Sequence, residues 1–454
     1  MAEHSVDHFL FEDSFSKPVL AVFDSLQRSS DAGATLLGAL DRRLGLTASM
    51  ASCLDDRRCT YRVVHGVVEL LRQRVYSIAL GYADANDSHR VRHDPALQLA
   101  CGRRSDDERG LGSQPTISRF EHSATGRELV KMERTLEDFV VQRLHRKHPR
   151  ARRIFIDLDP TVDPTHGQQP FAFFNGHYDT WCYLPMIGFV SVEGDPEQHL
   201  FHARLRAGVA KEAKGTILVL RRIVAKLRRV YRKCRICVRL DAGFAYPQIF
   251  ELLDELRVEY MVAMGENTVL ADLADRHMHA ASVLTRAFDQ TTTLYGHGEY
   301  QSRSWSRLRR AIFKAEVVHA EGKSDRRNAR FVITNLRQSA ESVWRLYCKR
   351  GDSENRIKEL KLDLEMDRTS CTRFLPNQLR VTMTAIAMVL FQELRTLLRD
   401  TELHRASVAT MRLRLLKVGA TIKESVRRIV VSMSVHHAWK DLWRLVAERA
   451  TAVA

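Results

Sequence analysis

The chain has 454 residues, 44% of them hydrophobic and 28% charged, which is too long for one ordinary domain and excludes a disordered or collagen-like chain. Its 71 basic and 55 acidic side chains give a formal charge of +16, a surplus that favours a polyanionic partner. Eight cysteines (53, 59, 101, 182, 234, 237, 348 and 371) are no disulfide scaffold at this length and point to a reducing compartment. Cys234 and Cys237 form a lone CxxC, with no second pair to complete a zinc knuckle, and read as structural.

The first residues, Met1 to Asp7, are polar and acidic, and no basic patch leads an apolar core as in a secretory signal. The longest apolar run near the C-terminus, about 383–390, stops at Gln392-Glu393, short of the ~18 residues of a membrane span. A soluble intracellular protein with no membrane partner is expected.

Residues 1–150 read as a helical N-terminal region. Apolar residues fall at 36, 37, 40 and 44, then at 64, 67, 68, 71, 75 and 78, both at helical spacing. Asp84 to Arg109 is polar and poorly periodic, a loop with short turns. Ser113 to Glu121 is a candidate start for a recognition helix, and Leu129 to Leu144 is amphipathic. The basic stretch Arg143 to Arg153 closes the region as a linker or surface loop.

The character changes at Ile154. Arg153 to Asp159 is β-branched and bounded by Pro160, as a strand should be. Phe171 to Phe174 and Trp181 to Val192 read as further strands about a turn at Asn175-Gly176. Lys211 to Arg232 reads as a helix, Arg235 to Asp241 as a second strand running into aspartate, Phe250 to Leu256 as a helix and Tyr260 to Met264 as a strand. This order implies an α/β sheet with helical cover over 151–264. A β-rich insertion is expected at 265–335, with strands at Val283–Arg286, Thr291–Tyr295, Ala311–His319 and Phe331–Thr334. The core resumes over 336–400 with long helices at Ser339–Asp363 and Gln378–Leu398, and 401–454 reads as a basic helical C-terminal region.

Two strands end in aspartate, Asp159 and Asp241, and ligands of open α/β sheets gather at such carboxyl ends. Asp157 shares a strand face with Asp159 and stays open as an alternative. Tyr347, Arg350, Glu354, Lys358 and Lys361 lie three, four, four and three residues apart, on one helix face. Taken alone, that stripe is an ordinary solvated face of ion pairs. Combined with the two aspartates, Glu354 completes a carboxylate triad suited to two divalent ions, which prefer oxygen ligands and support in-line displacement at phosphorus.

These residues carry a resemblance to the DDE transposases of bacterial insertion sequences, over most of the chain. Tyrosine, two residues, arginine, three residues, glutamate, six residues and lysine is that superfamily's signature, and Tyr347, Arg350, Glu354 and Lys361 keep every spacing. Leu158 to Gln169 (LDPTVDPTHGQQ) resembles the first-aspartate block, with Pro160 where a small or acidic residue is more familiar. Arg239 to Phe244 (RLDAGF) resembles the second. Leu80 to Asp87, Ser113 to Glu121, Phe374 to Arg380 and Leu413 to Val418 extend the similarity. The resemblance implies a ribonuclease-H-like catalytic core split by the insertion. It implies Asp159, Asp241 and Glu354 as metal-binding catalytic residues for two Mg2+ ions, with Mn2+ as a substitute, and Tyr347, Arg350 and Lys361 as contacts to DNA near the scissile phosphate. It also implies a homodimer on double-stranded DNA (element ends and target) and a bacterial cytoplasmic, nucleoid-associated location.

The residues themselves offer a DNA surface. Arg221, Arg222, Lys226, Arg228, Arg229, Arg232, Lys233 and Arg235 crowd one segment without an acid, and 223, 224, 227 and 230 anchor it. Such a helix suits backbone phosphates. Arg303 to Lys314 and Arg412 to Arg428 are two further basic areas. His166 and His177 read as histidines without a catalytic task, and Trp181, Trp305 and Trp344 as packing residues. Two competing functions share these features: a catalytically inactive DNA-binding product of such an element, and a nuclease that does not join strands.

Overall fold

The computed structural model describes residues 8–11, 19–22, 25–210 and 213–452. They form two compact units: residues up to 47 with 56–120 and 393–454, and residues 48–55 with 121–392.

The first unit is largely helical. Ala34–Leu44, Val67–Leu80 and Pro95–Cys101 are helices, so the poorly periodic stretch after Asp84 holds helical turns as well as loop. Buried Asp41 accepts from the Thr47 backbone N–H (2.8 Å) and the Tyr76 hydroxyl (2.7 Å), so its burial leaves no lone carboxylate. His8–Phe11 and Val19–Val22 pair as an antiparallel hairpin. The expectation of a wholly helical C-terminal region is corrected here. Ala420–Glu424 and Ile429–Met433 are antiparallel strands, and Arg28–Ser29 joins the first of them. The turn between them closes through the Ser425 N–H on the Arg428 carbonyl (2.9 Å). The many basic residues of this segment obscured a β-branched, period-two pattern.

The second unit is built on an eight-stranded mixed sheet. Its order is Thr292–Tyr300, Arg309–Val318, Arg326–Thr334, Glu259–Met264, Arg235–Leu240, Arg153–Pro160, Met186–Val192 and His199–Arg204. The three strands Arg153–Pro160, Arg235–Leu240 and Glu259–Met264 are mutually parallel, and all other pairings are antiparallel. Ile154, Ile156 and Leu158 are fully buried, as expected of a strand covered on both faces. Pro160 still faces Met186, and the Thr161 N–H carries on to the Pro185 carbonyl (3.0 Å), so the proline does not dislodge its strand end.

Several sequence expectations change in this unit. Val283–Arg286 belongs to a helix, Thr268–Phe288, whose buried residues 270, 274, 278, 281 and 285 recur at helical spacing. The three strands after it extend the main sheet and do not form one of their own. The expected helix 339–363 is broken into Ala340–Cys348, Gly351–Lys358 and a wider turn at Glu359–Asp363. At the break the Arg350 N–H reaches the Tyr347 carbonyl (2.9 Å), a tightened i to i−3 bond. Lys211 lies outside the described residues, and its helix is described from Ala213 to Val230.

The expected strand 181–192 divides at Leu184-Pro185. Thr180–Tyr183 joins a small sheet with Asp163–Pro164 and Phe173–Asn175, and Met186–Val192 joins the main one. Gly208 lies against that small sheet. A Cβ there would meet the backbone oxygens of Cys182 at 2.2 Å and Phe173 at 2.7 Å. Gly208→Ala should therefore cost about 1–3 kcal/mol, read as a lower urea midpoint with an unchanged m-value.

Helix Phe374–Leu397 is long and apolar enough to cross a membrane by length and composition, but 83% of its most apolar window is buried inside the protein. Its polar side chains face the sheet edge: Gln378 Oε1 accepts from the Leu205 N–H (2.6 Å) and Gln392 Oε1 from the Leu200 N–H (3.2 Å). It is a core helix.

Candidate active site

Strand register brings the carboxylates together. Asp157 and Arg239 are partners on adjacent parallel strands, so Asp159 and Asp241, two residues beyond each, leave the sheet side by side. Asp241 opens a short helical turn, and its Oδ1 accepts from the Gly243 N–H (2.9 Å). Glu354 comes from Gly351–Lys358. Between the three sits Arg350. One of its terminal nitrogens is 2.8 Å from Asp159 Oδ2 and 3.8 Å from Asp241 Oδ2, and the other is 2.7 Å from Glu354 Oε1.

Burial decides the electrostatics. It pushes Asp159 up to about 7, against the pull of Arg350 and helped by the neighbouring Asp241 and Glu354 charges. Asp241 is raised for the same first reason. Burial works against the Arg350 charge, but Asp159, Tyr347, Asp241 and Glu354 outweigh it and hold the guanidinium above its ordinary range. Burial raises Tyr347 to about 12, so it is a neutral phenol. The carboxylate cluster is a place where positive charge is in demand.

Asp157 does not join it. It is held by Arg239 Nε (2.7 Å) and a terminal nitrogen (2.5 Å), with both side chains only 1% exposed. Its carboxylate is thereby committed to the core, and Asp159 is the strand's open acid. Lys361 is also displaced from the carboxylates: its Nζ donates to the Val162 carbonyl (2.8 Å) and lies 3.9 Å from Asp367. Tyr347 packs on the core around Phe155, Cys237 and Val343, next to Trp344. The arginine of the tyrosine–arginine–glutamate stripe therefore faces the acids rather than solvent.

A match to the family described as transposase DDE domain, group 1, covers residues 11–453. The chain belongs to this DDE transposase family. No curated protein matches it.

The transposase has a second buried acid near the site that the sequence reading passed over. Asp163, four residues after Asp159, is raised to about 8 by burial, and Thr369 Oγ1 donates to both of its oxygens (3.0 and 2.9 Å). Gln169 Nε2 donates to the Thr369 carbonyl (2.8 Å), fixing the loop that follows the first aspartate. The first-aspartate block carried the signal, since Asp163 stands in it.

The basic helix divides the predicted DNA contacts. The Arg222 guanidinium is bound to Glu133 and, at 2.6–2.9 Å, to Glu137. Arg221 pairs with Glu255 at the surface (2.5 and 2.6 Å), and Lys226 with Asp138 (2.8 Å). Arg228 donates to the Leu256 carbonyl. Arg229 and Arg232 are exposed. Charge reversal at Arg229 and Arg232 should weaken binding to duplexes of any sequence. The log–log salt slope should become shallower by about 0.9 for each phosphate that is no longer neutralised, checked by anisotropy titrations across a salt series.

Glu133, Glu137 and His202 offer ligand atoms within 4.8 Å of one another. Arg222 already supplies the positive charge there, and burial drives His202 down to about 3, hence neutral. They form a buried ion-pair network with Arg222. Of the tryptophans, Trp305 is buried and Trp344 packs on the core, but Trp181 is 57% exposed, against expectation. His166 and His177 are exposed. All eight cysteines are free, and Cys237 is a core residue.

Proposed function

We propose that this transposase binds the ends of a bacterial insertion sequence, cuts there and joins the 3′-hydroxyl ends to target DNA, with Asp159, Asp241 and Glu354 holding two Mg2+ ions. The observation that carries the reading is the convergence of the three carboxylates on the single cation Arg350. The donor set fits such ions: hard oxygens from three elements, with charges that repel one another unless a cation lies among them. When bound, the ions would activate the attacking oxygen and stabilise the leaving one.

The chain's own residues prepare the site. The parallel strands fix the spacing of the aspartates. The helix break at Arg350 turns Glu354 toward them. Arg350 is the cation among the acids, placed for the approach of a phosphodiester, Lys361 is tied to the segment after the first aspartate through the Val162 carbonyl, and Tyr347 presents a neutral phenol. The five main-sheet strands between Arg153 and Met264 support a ribonuclease-H-like core, since in chain order they lie 3-2-1-4-5 across the sheet. The antiparallel strands of 292–334 are then the insertion that precedes the last carboxylate. In this reading residues 1–150 read the end repeats, two copies act on the paired ends, and the protein works at the bacterial nucleoid in the cytoplasm. The test is incubation of DNA carrying the flanking element ends with protein and magnesium. Cleavage with joined products supports the reading; cleavage without joining leaves a nuclease, and binding without cleavage leaves an inactive DNA-binding protein.

A further inference from the structure

The sheet has an opposite edge, where the parallel strands begin. Arg153, Arg235 and Glu259 are their first residues. Six residues of strand separate Arg153 from Asp159, roughly 20 Å at ~3.3 Å per residue. Two cavities open at this edge. One, of about 610 Å3, is lined by Arg153, Arg235, Arg257 and Arg337 with Asp254 and Glu259. The other, of about 540 Å3, is lined by Arg307, Arg309, Arg310 and again Arg337. They share Asn335, Leu336 and Arg337 and form one basin.

The acids in the basin are already engaged. Glu259 faces Arg153 (2.8 Å) and Arg235 (3.6 Å), and Asp254 is held by Arg307 and Arg309. Arg257, Arg310 and Arg337 have no carboxylate partner among the described residues. Arg310 is nevertheless fixed, because it donates to the carbonyls of Leu336 (2.5 Å) and Gln338 (2.8 Å). Burial without a counter-charge pushes its guanidinium down from the ordinary range. Asn335 holds the intervening loop in place, accepting from the Tyr260 N–H (3.0 Å) and donating to the Val258 carbonyl (2.9 Å). Arg228 reaches the Leu256 and Arg257 carbonyls, so the exposed arginines of its helix continue the same surface.

Guanidiniums fixed by carbonyls keep their full charge and a planar fork suited to phosphate oxygens. Arg310 fixed in this way, with the exposed Arg257 and Arg337 along the same open basin, matches phosphates in a row better than one small anion. DNA supplies one charge per ~1.7 Å of duplex axis. The carboxylates stand at the other end of these strands, so the phosphate being cut is not one that this edge would hold.

We propose that this arginine basin binds the phosphate backbone of a duplex segment separate from the strand being cut. The proposal rests on the reading of the protein as a DNA-cleaving transposase. The test is Arg257→Gln with Arg337→Gln in the full chain, since both side chains are exposed and the fold should tolerate the change. Anisotropy is measured on element-end and scrambled duplexes across a salt series, with inorganic pyrophosphate titrated in parallel and end cleavage by the wild type as companion. Expected is a roughly tenfold loss of affinity on both duplexes and a slope shallower by about 1.8, two phosphates at ~0.9 each. Unchanged affinity and slope, beside a wild type that cleaves, overturn the basin and leave the carboxylate reading standing. Pyrophosphate binding lost in the variant while duplex binding is kept overturns it in favour of a small anion. A wild type that binds no duplex overturns the basin and the reading beneath it together.

Discussion

Glu354→Gln should leave duplex binding intact and lower strand cleavage by about two or more orders of magnitude, the loss expected when an interaction made in the transition state is removed and remote binding is kept. Glutamine keeps the size of the side chain and one acceptor oxygen but removes the charge. Asp159 and Asp241 alone then provide too little negative charge for a second ion. Folding should change little. The Glu354 side chain is 50% exposed, so its i, i+4 pair with Arg350 is a weak surface contact, and its removal also relieves repulsion on the two aspartates. The measurement is end cleavage in magnesium beside a gel shift on the same DNA. Near-normal cleavage would place the third ligand elsewhere. Glu359 and Glu365 would be next, although Arg356 already holds Glu359 at 2.8 Å and Arg368 lies 3.2 Å from Glu365.

How much of this was legible in the sequence depends on which residues had to be distant. Asp159 and Asp241 could be found because each ends a β-branched run, a local pattern. Glu354 could be placed on their side only through the spacing of its helix face and a family resemblance. Nothing local says that Arg350 turns inward, because its inward path depends on the break at 349–350, which helical periodicity reads straight through. The surroundings of Arg222 were hidden for a related reason. Its partners Glu133 and Glu137 lie 85 or more residues earlier, and no window over the basic segment contains them. Residues 283–286 were read as strand because a short apolar run has no period of its own, and the burial stripe of Thr268–Phe288 appears only over the whole helix. The arginine basin has no sequence signature at all: its members come from five separate turns and strand ends.

Asp157→Asn should destabilise the protein by about 3–5 kcal/mol, because it leaves the Arg239 guanidinium in the core without its counter-charge. Both side chains are almost wholly buried, and the pair is a two-pronged one at 2.7 and 2.5 Å. The Phe155 ring, 4.5 Å from the guanidinium carbon, is the remaining cover, and a cation–π contact replaces only part of the loss. For a chain of this size the shift should be about 3–5 °C in Tm, checked by thermal unfolding with urea titration beside it. Asp157→Leu combined with Arg239→Met should recover most of that stability, since two apolar side chains of similar volume carry no desolvation cost. Cleavage should not recover with it. Arg239 also donates to the Leu346 carbonyl (3.0 Å), next to Tyr347, and so ties the strand that leads to Asp241 to the helix that leads to Arg350 and Glu354. Arg239 is thus a positioning residue, and the double variant separates its two tasks: a stable protein with slow cleavage and normal DNA affinity supports the tie, whereas full recovery of cleavage would make the pair a matter of packing alone.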